Sequence, residues 1–213
     1  MERPGPERPA AHDERVRPTV ALRSDRLELR RLDGGDAAFV ESLYAHAQVT
    51  RTLLRIQGPI SIEEAREFCQ APATACGDYR FGAALRSDGR LIALGSVRRH
   101  TELLGVATIG YSVVPALWGQ GFGTELASLL VEFAAGTLGA PEVRATTLDD
   151  NPASARVLQK LGFSVLEIGA SEIDSRGDGR PVTRWRLRQR PRTRSGAAGQ
   201  QAGAAGVEPA APA

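Results

Sequence analysis

Lysine is almost missing from this 213-residue chain: of its 27 basic residues only Lys160 is not arginine, a bias that fits a GC-rich coding sequence better than any particular chemistry. Cysteine is nearly as scarce. Cys69 and Cys76 fall on one expected helix and the loop after it, with no second pair and no nearby histidine, so no metal site is indicated and both read as reduced bystanders. No apolar run approaches the roughly 18 residues of a membrane span, and the residues after Met1 lack the apolar stretch of a secretory leader. The expectation is a soluble, cytoplasmic protein without a membrane partner. A net charge of +2 is too small to indicate a nucleic-acid binder, so that class depends on local clusters.

Residues 1–17 mix proline, glutamate and arginine, and residues 191–213 are mainly glycine, alanine, glutamine and proline. Neither stretch has the apolar area to offset its ordering entropy, and both are expected to be disordered tails. Residues 18–190, about 170 in all, suit one domain with a full core.

Within that domain Val20 to Leu32 alternates as a strand, and Asp33 or Asp36 can cap a helix running to about Ala47. Ser61-Ile-Glu-Glu64 is a capping box for a second helix to about Gln70. Tyr79–Leu85, Leu91–Val97 and Val106–Val114 follow as an antiparallel meander, with a turn at Ser87-Asp-Gly-Arg90. Phe122, Leu126, Leu129, Leu130 and Phe133 then form a helical apolar stripe opposite Glu125, Ser128 and Glu132. A strand at Val143–Leu148, a helix at Pro152–Leu161, a strand at Phe163–Ile168 and a last strand at Val182–Arg188 complete the expected fold. Its class is α+β, a mixed and mostly antiparallel central sheet flanked by helices.

The densest motif is Trp118-Gly-Gln-Gly-Phe-Gly-Thr-Glu125, a glycine turn that opens a helix. A helix N-terminus presents unbonded N–H groups and partial positive charge, and glycines let a pyrophosphate approach the backbone. The turn is no P-loop, which ends in Gly-Lys-Ser/Thr, and no dinucleotide fingerprint, which needs a glycine where Thr124 stands. It is a phosphate cradle without lysine, or simply a tight connection. Downstream, Asn151-Pro-Ala-Ser154 starts a helix with an N-cap asparagine and proline at the first helical position, and Ser154 falls where it can support that start.

Together with Asp25-Arg-Leu-Glu-Leu-Arg30 and Ile109-Gly-Tyr111, the segments Trp118–Glu125 and Asn151–Phe163 resemble the GNAT-superfamily N-acetyltransferases, in the branch of the RimJ/RimL-type enzymes that acetylate ribosomal protein N-termini. Trp118 stands where most of the superfamily has glutamine or arginine, as is common in that branch. The resemblance implies acetyl-CoA as acyl donor and no metal. Backbone N–H groups of Gln120, Gly121, Gly123 and Thr124 would hold its pyrophosphate, and Val113 and Val114 would pair with the pantetheine arm like an added strand. Asn151 is implied as a cofactor contact as well as a cap, and Arg156 either reaches a CoA phosphate or joins a surface ion pair. Tyr111 and Trp118 either line the acceptor cleft or pack in the core.

Transfer from a thioester to an amine needs a neutral amine, an oxyanion donor and a proton for the departing thiolate. A backbone N–H near Val113 is the expected oxyanion donor. The tyrosine that many relatives place four residues before Gly162 is Leu158 here, and by resemblance to the RimJ/RimL branch Ser154 takes its role as catalytic acid. The glutamate that relatives often carry just before Ile-Gly-Tyr is Thr108, and Glu102 and His100 read as solvated loop residues, so no general base stands out. At pH 7.5 an α-amine of pKa about 7.8 is roughly one-third neutral and a lysine amine about 0.1%, a difference of roughly 3 kcal/mol. The acceptor is therefore expected to be a peptide N-terminal α-amine or another weakly basic small-molecule amine.

Two other classes stay open. A non-catalytic acyl-CoA-binding module would bind CoA without turnover. An RNA-associated domain would use Arg184, Arg186, Arg188 and Arg190, alternating with Trp185 and Leu187, as a basic edge toward RNA or the ribosome, with steep salt dependence.

Overall fold

The computed structural model describes residues 22–56, 58–71, 77–100, 102–103, 105–171 and 179–189. The expected tails, Cys76 and the arginines from Arg190 onward lie outside them.

The first strands, β1 (Leu22–Arg23) and β2 (Leu27–Arg31), bury Leu22, Leu27 and Leu29 on one face. Asp33 then caps a short 3-10 turn, Gly34–Asp36, instead of the helix itself. The expected single helix is two: α1 (Ala37–Ala45) ends where His46 turns extended, and α2 (Ala47–Thr50) follows. The capping box at α3 (Ile62–Gln70) is as expected, with Glu64 N–H donating to Ser61 Oγ at 3.2 Å and Ser61 N–H to Glu64 Oε2 at 2.7 Å. Strands β3 (Asp78–Leu85), β4 (Leu91–Arg99) and β5 (Val106–Val113) form the meander.

Helix α4 (Phe122–Glu132) runs into a wider π turn at Phe133–Thr137. Its whole apolar stripe is buried, and it lies so close to β4 that a Cβ on Gly95 would come within 2.9 Å of Leu130 Cδ2. Then come β6 (Glu142–Leu148), α5 (Pro152–Lys160), β7 (Ser164–Ala170) and β8 (Pro181–Arg188).

The strands form one sheet in the order β1-β2-β3-β4-β5-β6-β8-β7, in which only β5 and β6 pair parallel. The strand β8 lies between β6 and β7, so its arginines are not on a sheet edge as the alternation suggested. Arg184 contacts Glu167 at 3.4 Å and the Ala170 carbonyl at 3.1 Å, and Arg188 contacts Glu142 at 3.6 Å. One core lies between the sheet and α4 with α5, and a second lies on the opposite face under α1 and α3. Among the described residues no helix is long and apolar enough to cross a membrane.

One feature of this sheet positions the site. Strand β5 stays paired with β4 up to Val113, and β6 stays paired with β8 up to Leu148, yet β5 and β6 pair only from Val106–Glu142 to Thr108–Arg144. Beyond Thr108 the two strands part. The bonds His100 N–H to Val106 O (3.0 Å) and Val114 N–H to Ile92 O (2.9 Å) fix the phase of the β4–β5 ladder. Even-numbered β5 residues bond to β4, so Ile109, Tyr111 and Val113 turn their backbone groups toward the gap.

Candidate active site

The glycine turn lies on the α4 face of this gap. Gly119 and Gly121 have positive φ, +77° and +86°, and Gly121 is the N-cap of α4 without a side-chain cap. Thr124 and Glu125 N–H both donate to Gly121 O at 3.1 Å, while the N–H groups of Gln120, Gly121, Phe122 and Gly123 meet no acceptor among the described residues. Four adjacent free donors at a helix N-terminus are the groups that an anion cradle needs. The set overlaps the sequence expectation at Gln120, Gly121 and Gly123. The structure adds Phe122 and leaves Thr124 with its N–H already bonded.

Arg26 and Glu125 brace the turn, and neither had an expected role. The Arg26 guanidinium meets Glu125 Oε2 at 2.6 Å, donates to the Gln120 carbonyl at 3.1 Å and lies 4.1 Å from the Phe122 ring centroid. Glu125 Oε1 also accepts from Ser24 Oγ at 2.5 Å and from Arg26 N–H at 2.9 Å. Glu125, expected on the solvent side of α4, thus ties the helix to the β1–β2 turn. Burial pushes its carboxyl up, but the bonds from Ser24 and Arg26, with the Arg26 charge, together pull it below the ordinary carboxylate value. A depressed carboxyl contributes stability that is present above its unfolded pKa and is lost as pH falls through the folded one. Glu125→Gln is expected to cost about 1–2 kcal/mol at pH 7, discounted for the exposure of Arg26. Urea melts should show that difference closing at acid pH.

Trp118 closes the other end of the turn. Its half-exposed indole donates to the Val113 carbonyl at 2.7 Å, latching the end of β5. Val114 has its N–H on Ile92 and its carbonyl accepting from Leu117 N–H at 3.0 Å. Backbone groups facing the gap therefore come from Ile109, Tyr111 and the N–H of Val113, with Val114 turned to its neighbours.

Helix α5 packs its second turn against the first turn of α4, where a Cβ on Gly123 would touch Val157 Cγ2 at 3.6 Å. Asn151 caps α5, its Oδ1 accepting from Ser154 N–H at 3.1 Å. Ser154 Oγ in turn lies 2.9 Å from the Tyr111 hydroxyl. Burial, opposed by the bond to Ser154, pushes the Tyr111 hydroxyl up to about 12, so it stays protonated and able to donate. Leu158, where relatives place a tyrosine, is fully buried in the core. The tyrosine next to Ser154 comes instead from β5, a pairing that only the strand-to-helix packing reveals. Arg156 is exposed, and no described carboxylate pairs with it.

The opposite face of the gap carries a cavity of about 310 Å³, lined by His100, Thr108, Arg144, Thr146, Glu167 and Arg184 among others. His100 departs from the expected solvated loop residue: it is half-buried, with Nε2 2.7 Å from Thr108 Oγ1. No group of three His, Cys, Asp or Glu side chains among the described residues is placed to hold a metal.

A parted pair of strands, a cradle of free N–H groups beside the gap and a hydroxyl pair on the same face fit an extended thioester that ends in a pyrophosphate. The family model for the acetyltransferase (GNAT) domain matches residues 26–164. The uncharacterized N-acetyltransferase YoaA of Bacillus subtilis is 33% identical over 155 residues, covering 67% of this chain and 81% of that protein. Among solved structures, the spermidine N-acetyltransferase of Vibrio cholerae in complex with CoA and spermine superposes with a TM-score of 0.68 at 19% identity, covering 78% of this chain and 97% of that one. RimL, the ribosomal L7/L12 α-N-protein acetyltransferase in complex with CoA, gives 0.67 at 20% identity, over 78% and 95% of the two chains. The chain therefore belongs to the GNAT acetyltransferase family and is an acetyl-CoA-dependent N-acetyltransferase.

Proposed function

We propose that this acetyltransferase acts on an α-amine, that of a protein or peptide N-terminus or of a small weakly basic molecule. The observation that carries the reading is the charge pattern on the acceptor side. Arg144 and Arg184 line the cavity, the carboxylate in its described lining, Glu167, pairs with Arg184, and beyond the lining Glu142 pairs with Arg144 and Asp78 with Arg98. Such a surface offers a polycation such as the spermine bound to the Vibrio cholerae relative little to pair with. Nor do the described residues lining the cavity include an unpaired carboxylate to strip an ordinary lysine of its proton, which leaves the roughly 3 kcal/mol advantage of the α-amine intact.

In this reading the N–H groups of Gln120, Gly121, Phe122 and Gly123 hold the pyrophosphate, with the Thr124 hydroxyl at the rim and Arg156 reaching a phosphate. Acetyl-CoA supplies the activated acetyl group as a thioester. Val113 and Tyr111 offer the backbone edge for the pantetheine arm, and an N–H of this pair faces the developing oxyanion. Ser154, held by the Asn151 cap, gives its proton to the leaving sulfur and regains one from Tyr111, which is reprotonated by the proton that the acceptor nitrogen sheds as the amide forms. Incubation with acetyl-CoA and a panel of N-terminal peptides, amino acids, polyamines and aminoglycosides, followed by mass spectrometry, tests it. Labelling of peptides or other α-amines is expected, and preferential labelling of polyamines would reject it.

A further inference from the structure

The cavity on the acceptor face has no chemical role in the reading above. It begins at the vertex of the gap, because Thr108 is the last β5 residue that β6 pairs with, and the side chain of Thr108 projects away from α4 and α5. An acceptor approaching from this face meets the cavity before it meets the thioester. It arrives largely as an ammonium and must lose a proton to react.

Of the carboxylates nearby, Glu142 is held below its ordinary value, chiefly by the bond from Arg144, and Asp78 and Glu167 each pair with an arginine. His100 differs. It stands just after β4, half-buried, with its ring nitrogen on the Thr108 hydroxyl. The charged groups facing it are Arg98 on β4, Arg144 on β6, Asp78 on β3 and Arg55 from the segment after α2, and Glu167 and Arg184 share its cavity. Burial and the charges of Arg98, Arg144 and Arg55 outweigh Asp78 and push the imidazole below its ordinary value. At neutral pH it is an uncharged base.

We propose that His100, acting through Thr108, takes the proton that the acceptor ammonium must release before it attacks. The inference rests on the α-amine acetyltransferase reading. An ammonium N–H bond breaks, and its proton passes through water in the cavity to Thr108 Oγ1 as the proton of that hydroxyl moves to His100 Nε2. The freed lone pair forms the C–N bond, and as the C–S bond breaks the nitrogen sheds a second proton, which replaces through water the one that Ser154 and Tyr111 gave to the leaving sulfur, while the imidazolium returns its proton to solvent. Thr108 and Tyr111 lie three residues apart on β5, roughly 10 Å, a distance that a bound amine and one or two waters span.

The test is kcat/KM for an N-terminal peptide at saturating acetyl-CoA from pH 6 to 9. His100→Gln is expected to fall about 10-fold below wild type at pH 6.5, with the deficit closing to within about 2-fold by pH 9 as the amine loses its proton unaided. Thr108→Val should follow His100→Gln, and Thr108→Ser should keep the wild-type profile. A deficit equal at every pH would mean a structural role and overturn the proposal, as would an unchanged profile. A wild-type enzyme silent toward every α-amine would instead overturn the reading of the acceptor, and this proposal with it.

Discussion

Gly121→Trp is expected to weaken acetyl-CoA binding by at least about 100-fold while the domain still folds. Gly121 sits at φ +86°, where a side chain costs about 1–2 kcal/mol, and its missing Cβ would lie 3.3 Å from the Arg26 guanidinium. That local penalty is a fraction of a typical domain stability. Binding suffers more, because an indole at this point covers the free N–H groups of Gln120 to Gly123 and blocks the approach of a pyrophosphate. Titration calorimetry with acetyl-CoA, alongside circular dichroism melts, separates the two effects. Gly89→Trp is the matched control, since Gly89 also has positive φ, +73°, its Cβ would meet nothing within 4 Å, and it lies in the turn between β3 and β4. Unchanged affinity in a folded Gly121→Trp protein would remove the cradle from the account.

Ser154→Ala should lower kcat by roughly 100-fold, within the usual range for loss of an acid or base, and leave acetyl-CoA affinity nearly unchanged. Tyr111→Phe removes only the hydroxyl 2.9 Å behind Ser154 and is expected to cost less. The double variant should be little worse than Ser154→Ala, because in the proposed mechanism the two groups act as one relay. Steady-state rates with acetyl-CoA and a peptide acceptor read this directly. A normal kcat in Ser154→Ala would mean that the thiolate leaves without a proton from this pair.

The sequence made these sites partly visible, and the reasons are local. Capping chemistry is written in adjacent residues, so Ser61 with Glu64 and Asn151 with Pro152 marked two helix starts directly. The glycine turn was legible for the same reason, down to three of its four free donors. What escaped was set by pairing between distant segments. The partnership of Arg26 with Glu125 spans 99 residues, and that of Tyr111 with Ser154 spans 43. Likewise, periodicity placed Glu125 opposite the apolar stripe of α4 but could not show that the β1–β2 turn lies there to receive it. Alternation put the β8 arginines on one face, yet only the strand order reveals that β7 covers what looked like an edge. His100 lacked a pattern altogether, because its contact with Thr108 is made by the pairing of β4 with β5.

The enzyme is expected to acetylate α-amines in preference to more basic ones. The most direct measurement offers one peptide that carries both an N-terminal α-amine and a lysine, with acetyl-CoA at pH 7.5, and locates the label by tandem mass spectrometry. The account predicts label on the α-nitrogen in excess of roughly 100 to 1, following the neutral fractions of the two amines. Label mainly on the lysine side chain would contradict it.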